Sequence, residues 1–370
     1  MRSSTSTVAS QPVPPRSCGQ RASAADNPGN AWYWRCDLKD PAAAAQDSSL
    51  PLAGKTLALK DSRGGVPMMN GSKLLEGFVP TEDATVVTRI LAAGGRIVGK
   101  AVCEDMCFSG ASHTTFKGAV PNPHSELHSA GGSSSGCGYL VAKGLVDMAI
   151  GGIRADRFES PAPGAAYRHF GLVPYTGALS MMRGIDHLGP MARTVTDAAR
   201  LLQAIAGLDG DGLDRRQPTD LRVDNYSESL RGELSKYSFG LLVEGFHGVD
   251  EDVDEAVRQL AGKLASAGAK VSKVSVPLHS QSGAFYLPYL LHGFRATYLT
   301  TAPLPLDDAY VDPDAVDAAN YGLKHFSQAA NWIRELRRCY DNALNSVDYL
   351  FDADSADATA SPSGRIGQRC

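Results

Sequence analysis

The sequence has no run of about eighteen consecutive apolar residues, the length a membrane-spanning helix needs, so no membrane partner is expected. It has no block of lysine and arginine, and its formal net charge is −4. A nucleic-acid partner, which a basic patch would signal, is therefore not expected either. There is no CxxC pair. The 7 cysteines, at positions 18, 36, 103, 107, 137, 339 and 370, are scattered and odd in number. That pattern fits free thiols in a reducing compartment better than a disulfide framework. Cys103, Cys107 and His113 are neighbours in sequence but lack a fourth ligand, so no metal site is expected. The opening MRSSTSTVASQPVPPRSCGQ has no apolar core. No secretory signal is expected, and the chain is placed in the cytoplasm.

What is present is ordinary globular material. Of 370 residues, 43% are hydrophobic and 21% charged, enough for a sizeable core. Length alone permits one large α/β domain or two smaller ones. Residues 1–45 are rich in Ser, Pro and Ala and read as a flexible N-terminal arm, within which NAWYWRC can dock locally. A main domain is expected over 46–350. The end, FDADSADATASPSGRIGQRC, has one aromatic and no apolar run, so 351–370 reads as a disordered polar tail.

Between these ends the pattern alternates. KTLALKD (55–61) reads as a buried strand ending at Lys60. Residues 82–93 read as a helix with Val86, Val87, Ile90 and Leu91 on one face, stopped by Gly94-Gly95 before the strand RIVGKAV. Residues 135–144 read as a helix and LVDMAI (145–150) as the next buried strand. A further helix spans 194–206, with Thr194 as its cap and Asp197 three residues on. FGLLVE (239–244), a helix over 252–266 and AKVSKVSVP (269–277) repeat the rhythm, and Ile333, Leu336, Tyr340 and Leu344 mark a late helix. Alternating strands and helices imply an α/β sheet covered by helices.

Two features could carry chemistry. A lysine closing an apolar strand is unusual, because burying an ammonium is costly. Lys60 is either a candidate general base or a side chain whose stem is buried while its head reaches solvent. The second feature is GGSSSG, residues 131–136, just ahead of the apolar CGYLVAKG. Gly131 and Gly132 allow unusual backbone shapes, and a serine at a helix N-terminus sits where free N–H groups point. The alternatives are a linker or a simple helix cap. A Walker loop is excluded, since GxxxxGK[ST] is absent. Gly132-x-Ser134-x-Gly136 matches the letters of a nucleophile elbow, but that motif should follow a strand, and the preceding NPHSELHSA reads as loop.

Together these stretches resemble the amidase signature family, and its enantioselective, nitrile-pathway members in particular. LALKD, DATVVTRILAAGGRIVGKAV, GGSSSG, FGLVPYTGALS and DHLGPMARTVTDAARLLQAIAG carry the likeness in order and spacing, while GVPMMNGS and GKAVCEDMCFSG carry the closer one. The resemblance implies a mixed β-sheet core covered by helices on both faces. It fades after CYDNALNSVDYLF, so the fold is expected to be incomplete at its C-terminus. It also implies a Ser–cis-Ser–Lys triad, with Lys60 as the lysine and Ser133 as the bridging serine. Gly131, Gly132 and Ser134 complete the turn as binding residues. The family's attacking serine lies further on, in a Gly-Gly-Ser-Ile-Arg turn. Here the matching stretch is AIGGIRADRFESPAPGAAYRHFGLVP, residues 149–174. Counting forward from Ser133 without gaps reaches Arg157; counting back from FGLVPYTGA joins Gly151-Gly152 to Ile153-Arg154. Neither placement yields a serine. Ser160 is the nearest, and stands as the substitute nucleophile.

The expected activity is hydrolysis of a small carboxamide to acid and ammonia. The alternatives are a catalytically inactive, amidase-like binding or scaffold protein, a pseudoenzyme, and a truncated product that folds poorly and does nothing. The resemblance implies no cofactor. It implies a small amide as substrate and admits a homodimer.

Overall fold

The computed structural model describes residues 19–45, 49–60, 66–153, 171–179, 185–210, 213–230, 232–298 and 322–353. In chain order the strands are β1 (Gln20–Arg21), β2 (Trp32–Leu38), β3 (Thr56–Lys60), β4 (Arg96–Ala101), β5 (Pro121–Asn122), β6 (Ser125–Ser129), β7 (Met148–Ile153), β8 (His187–Ala192), β9 (Ser238–Leu242), β10 (Lys270–Val274) and β11 (Tyr349–Phe351). The helices are α1 (Pro41–Ala45), α2 (Thr85–Ala92), α3 (Ser135–Ala142), α4 (Val195–Ile205), α5 (Glu251–Ser266), α6 (Ser282–Tyr298) and α7 (Gly322–Leu344).

The main sheet runs β1-β2-β4-β3-β7-β8. Its centre, β4-β3-β7, is parallel, and its flanks pair antiparallel. This is the α/β sheet expected from the alternating pattern, and it is mixed as the family resemblance implies. A three-stranded parallel sheet, β10-β9-β11, and the β5-β6 hairpin stand apart from it in the hydrogen bonding.

Period-two alternation along β3 decides which face each residue serves. Leu57 and Leu59 join Ile97, Met148 and Ile150 in one core, which α2 and α4 cover with Val86, Val87, Ile90, Ala198, Leu201, Leu202 and Ile205. Ala58, Ala149 and Met191 face the other way, against Cys137, Leu140 and Val141 of α3. Helices thus cover both faces. Lys60 has the parity of Ala58, which directs it to the side of the sheet held by α3. Small residues at 58 and 149 let α3 approach closely.

The helix start at 195 matches its sequence signal. Thr194 Oγ1 accepts the Asp197 N–H at 3.1 Å, satisfying one of the free donors of the first turn. Other boundaries shift. The strand expected at 145–150 is β7, Met148–Ile153. The expected N-terminal arm differs most. Residues 1–18 lie outside the described residues, but NAWYWRC supplies β2, which pairs with β4 inside the main sheet. Asn27 fixes its start, accepting from Trp32 N at 2.6 Å and donating to Trp32 O at 2.8 Å. Aromatic burial by Trp32 and Tyr33 outweighs the loose composition around them. The stretch read as loop before GGSSSG contains the hairpin strand β6. The expected tail, 351–370, begins on Phe351 of β11 and beyond Ala353 lies outside the described residues.

Candidate active site

Lys60 ends β3 at 4% exposure. Its amine head is held inside rather than released to solvent: Nζ lies within hydrogen-bond distance of Ser133 Oγ at 2.7 Å and donates to the Gly152 carbonyl at 2.7 Å. Strand alternation and the α3 approach therefore bring together two residues 73 positions apart. Ser133 is half-buried. The Gly132–Ser133 peptide bond is cis, as the family resemblance implies for the bridging serine.

The turn is built on glycine where space demands it. A Cβ on Gly132 would lie 2.8 Å from the Ser109 carbonyl and 2.9 Å from Glu104 Cγ. One on Gly136 would lie 2.5 Å from the Ala31 carbonyl oxygen and 2.8 Å from both N and O of Val102. The first turn of α3 thus rests directly on the backbone that leaves β4. Gly136 N donates to Val102 O at 3.2 Å. Gly131 takes a φ of +70°, in the region that favours glycine.

Ser134 has a different task. Its Oγ donates to Gly152 O at 3.1 Å and accepts from Gly152 N at 3.3 Å. It ties the turn to β7 by both backbone groups of one residue. The GGSSSG turn does join a strand, β6, to a helix, α3, so the absence of a preceding strand no longer argues against a nucleophile elbow. The hydrogen bonding does: the Ser134 hydroxyl is engaged by both backbone groups of Gly152, and Lys60 meets Ser133 instead.

Glu104 belongs to the site and carries no sequence signal that separates it from a surface acid. It is fully buried. Its N–H donates to the Ser133 carbonyl at 3.2 Å. Its Oε2 accepts from Thr114 N at 2.9 Å and Thr114 Oγ1 at 2.7 Å. Burial pushes its carboxyl above the ordinary range, against the opposing pull of those two bonds. The Gly152 carbonyl, which takes both Lys60 and Ser134, is equally invisible in the sequence because it is a backbone group. Ser160, the candidate nucleophile, lies outside the described residues, as does the stretch 154–170 around it. Cys103 and Cys107 meet beside the site, with their sulfurs 3.7 Å apart. Among the described residues, no helix is long and apolar enough to cross a membrane.

A mixed sheet, helices on both faces, and a lysine reaching from a central strand to a serine in a glycine turn define one class of protein. The family model described as Amidase matches residues 16–155 and 168–359, and the chain belongs to the amidase signature family. An enantioselective amidase of Rhodococcus rhodochrous is 38% identical over 386 aligned positions, spanning 92% of this chain and 71% of that protein. A glutamyl-tRNA(Gln) amidotransferase component from Synechococcus sp. (strain RCC307) is 32% identical over 299 positions, spanning 78% of this chain but only 58% of that one. Among solved structures, the native peptide amidase of Stenotrophomonas maltophilia superposes with a TM-score of 0.68 at 28% identity, covering 84% of this chain and 73% of that one.

Proposed function

We propose that the chain hydrolyses small carboxamides to acid and ammonia through a relay in which Lys60 is the base and Ser133 the bridging hydroxyl. The observation that carries the reading is the 2.7 Å contact between Lys60 Nζ and Ser133 Oγ at the end of a buried strand. In this reading a nucleophilic oxygen adds to the amide carbon, and its proton passes to Ser133 as Ser133 passes its own to Lys60. The relay then runs in reverse and protonates the leaving amine. Water attacks the acyl intermediate, gives its proton to the same relay, and releases the acid. Ser160 is the candidate for the attacking oxygen. The substrate is a small amide, and a homodimer is the proposed assembly.

A second reading, an amidase-like protein that binds without catalysing, is favoured by one observation. Neither placement of the family's Gly-Gly-Ser-Ile-Arg turn supplies its serine: the ungapped count reaches Arg157, and the gapped one runs Gly151-Gly152 straight into Ile153-Arg154, just before the family match breaks off at 155 to resume at 168. Losing the nucleophile and its oxyanion donors removes most of a hydrolase's rate advantage. Ammonia release from benzamide and propionamide, by the protein and its Lys60→Ala variant, separates the two. Turnover that disappears in the variant supports the relay. No turnover from a protein that melts cooperatively supports binding without catalysis.

A further inference from the structure

We propose that Cys103 and Cys107 are a redox-active pair that closes to a disulfide, and that closure acts on the Ser133 turn through Glu104, which lies between them. Both are reduced thiols, buried at 0% and 2% exposure. Cys107 Sγ lies 3.7 Å from Cys103 Sγ. Met106 and Cys107 take φ of +48° and +59°, two successive left-handed residues where neither is glycine, a conformation other residues seldom adopt. That backbone, closed by Cys107 N donating to Glu104 O at 2.8 Å, folds the second thiol back over the first. A disulfide needs the sulfurs at about 2.05 Å, so they must approach by roughly 1.6 Å.

Cys103 also lines a small cavity with Tyr33, Met69, Phe116 and Lys117. The cavity has room for about one water, and the oxidant proposed is hydrogen peroxide. One thiolate attacks a peroxide oxygen and breaks the O–O bond, giving a sulfenic acid and, after protonation, water. The second thiolate attacks that sulfur, forms the S–S bond and displaces hydroxide, which leaves as a second water. Two thiols and one peroxide give one disulfide and two waters, and two electrons pass from sulfur to oxygen.

Closure has two consequences, and the second reaches the site. Cys107 Sγ donates to Asn70 Oδ1 at 3.2 Å, and oxidation removes that donor from a fully buried amide. Glu104 sits inside the ring that would close, and its N–H holds the Ser133 carbonyl at 3.2 Å. Pulling the 103–107 turn inward draws on that bond. The disulfide itself is independent of the amide-hydrolysis reading; the regulatory consequence rests on it.

The test uses the full chain, reduced, then exposed to hydrogen peroxide, alkylated and digested with trypsin. Cleavage after Lys100 and Lys117 releases 101–117, which holds Cys103 and Cys107 and no other cysteine. The expected product is this peptide lighter by two hydrogens, reversed by dithiothreitol, with denatured thiols falling from seven to five. Amide exchange at Glu104 should then speed up at least tenfold. Two alkylatable cysteines in 101–117 after Cys36 or Cys339 has been oxidised, or oxygen gain on Met106 alone, overturns the pair. A disulfide with unchanged Glu104 exchange overturns the coupling. Cys107→Ser keeps a hydroxyl for Asn70 and should stop at a sulfenic acid on Cys103; should it fail to fold, the wild-type peptide still decides. None of these readouts needs amide turnover, so a failed hydrolysis assay leaves them legible.

Discussion

Substituting Gly136 by alanine sets two opposing effects against each other. In an exposed helix, Gly→Ala stabilises by about 1 kcal/mol through backbone entropy. At Gly136 the new Cβ would meet the Ala31 carbonyl oxygen at 2.5 Å and Val102 N and O at 2.8 Å. All three are backbone atoms next to paired strands, so no side chain can swing away. Relief needs a shift of about half an ångström or more between α3 and the β2–β4 edge, and overpacking of this kind costs about 1–3 kcal/mol. The same shift stretches the Gly136 N to Val102 O bond, already 3.2 Å. The net expectation is destabilisation by up to about 2 kcal/mol. Gly262→Ala in α5 is the internal control, because its Cβ would enter open space. It should stabilise by up to about 1 kcal/mol. Urea unfolding followed by circular dichroism measures both as shifts in midpoint at constant slope. A Gly136→Ala midpoint at or above wild type would refute the packing of α3 on which the site depends.

Three further outcomes follow from particular contacts. Glu104 has its carboxyl raised above the ordinary 4.5 by burial, so its protonated form is the one folding favours. Its stabilising contribution is complete below 4.5 and is lost as pH rises through the raised value. Glu104→Gln can still accept from Thr114 and should lack that decline, which thermal melts across pH 4–8 would show as a flatter profile. Asp214 behaves oppositely. Burial works to raise its carboxyl, but the paired Arg216 guanidinium and the Tyr175 and Arg216 N–H groups hold it below 3.8. Its contribution is present above 3.8 and lost as pH falls through the lower folded value. Asp214→Asn removes the carboxylate from Arg216, which keeps its bond to the Asp186 carbonyl, and should cost about 1–3 kcal/mol at neutral pH; a urea midpoint unchanged from wild type would show that the pair does not stabilise the fold. Thr194→Ala removes the cap on Asp197 N and should cost about 1 kcal/mol, read from the same urea curves.

Much of the central architecture is legible in the residues. The β3–α2–β4 unit follows from KTLALKD, the 82–93 stripe and RIVGKAV because both periodicities are local. Lys60 stands out because an ammonium at the end of an apolar strand needs a partner. What the sequence hides is non-local or chemically ambiguous. β2 forms because Trp32 and Tyr33 find the edge of β4 more than sixty residues away, while the surrounding Ser and Pro argue for a loose arm. α6 runs through Pro288, a residue that ordinarily ends a helix, so SGAFYLPYLLHGF has no clear helical signature. Glu104 looks like any surface acid until Thr114 and the Ser133 carbonyl are seen around it. The Gly152 carbonyl has no side chain to announce it.

The most direct test of the account is amide turnover by the wild type, Lys60→Ala, Ser133→Ala and the double variant, measured as ammonia released from benzamide. A relay acting as one unit predicts that each single variant loses as much as the double. Turnover that survives either single substitution, or losses that multiply, would contradict the Lys60–Ser133 relay. No turnover in the cooperatively folded wild type would contradict the hydrolase reading itself.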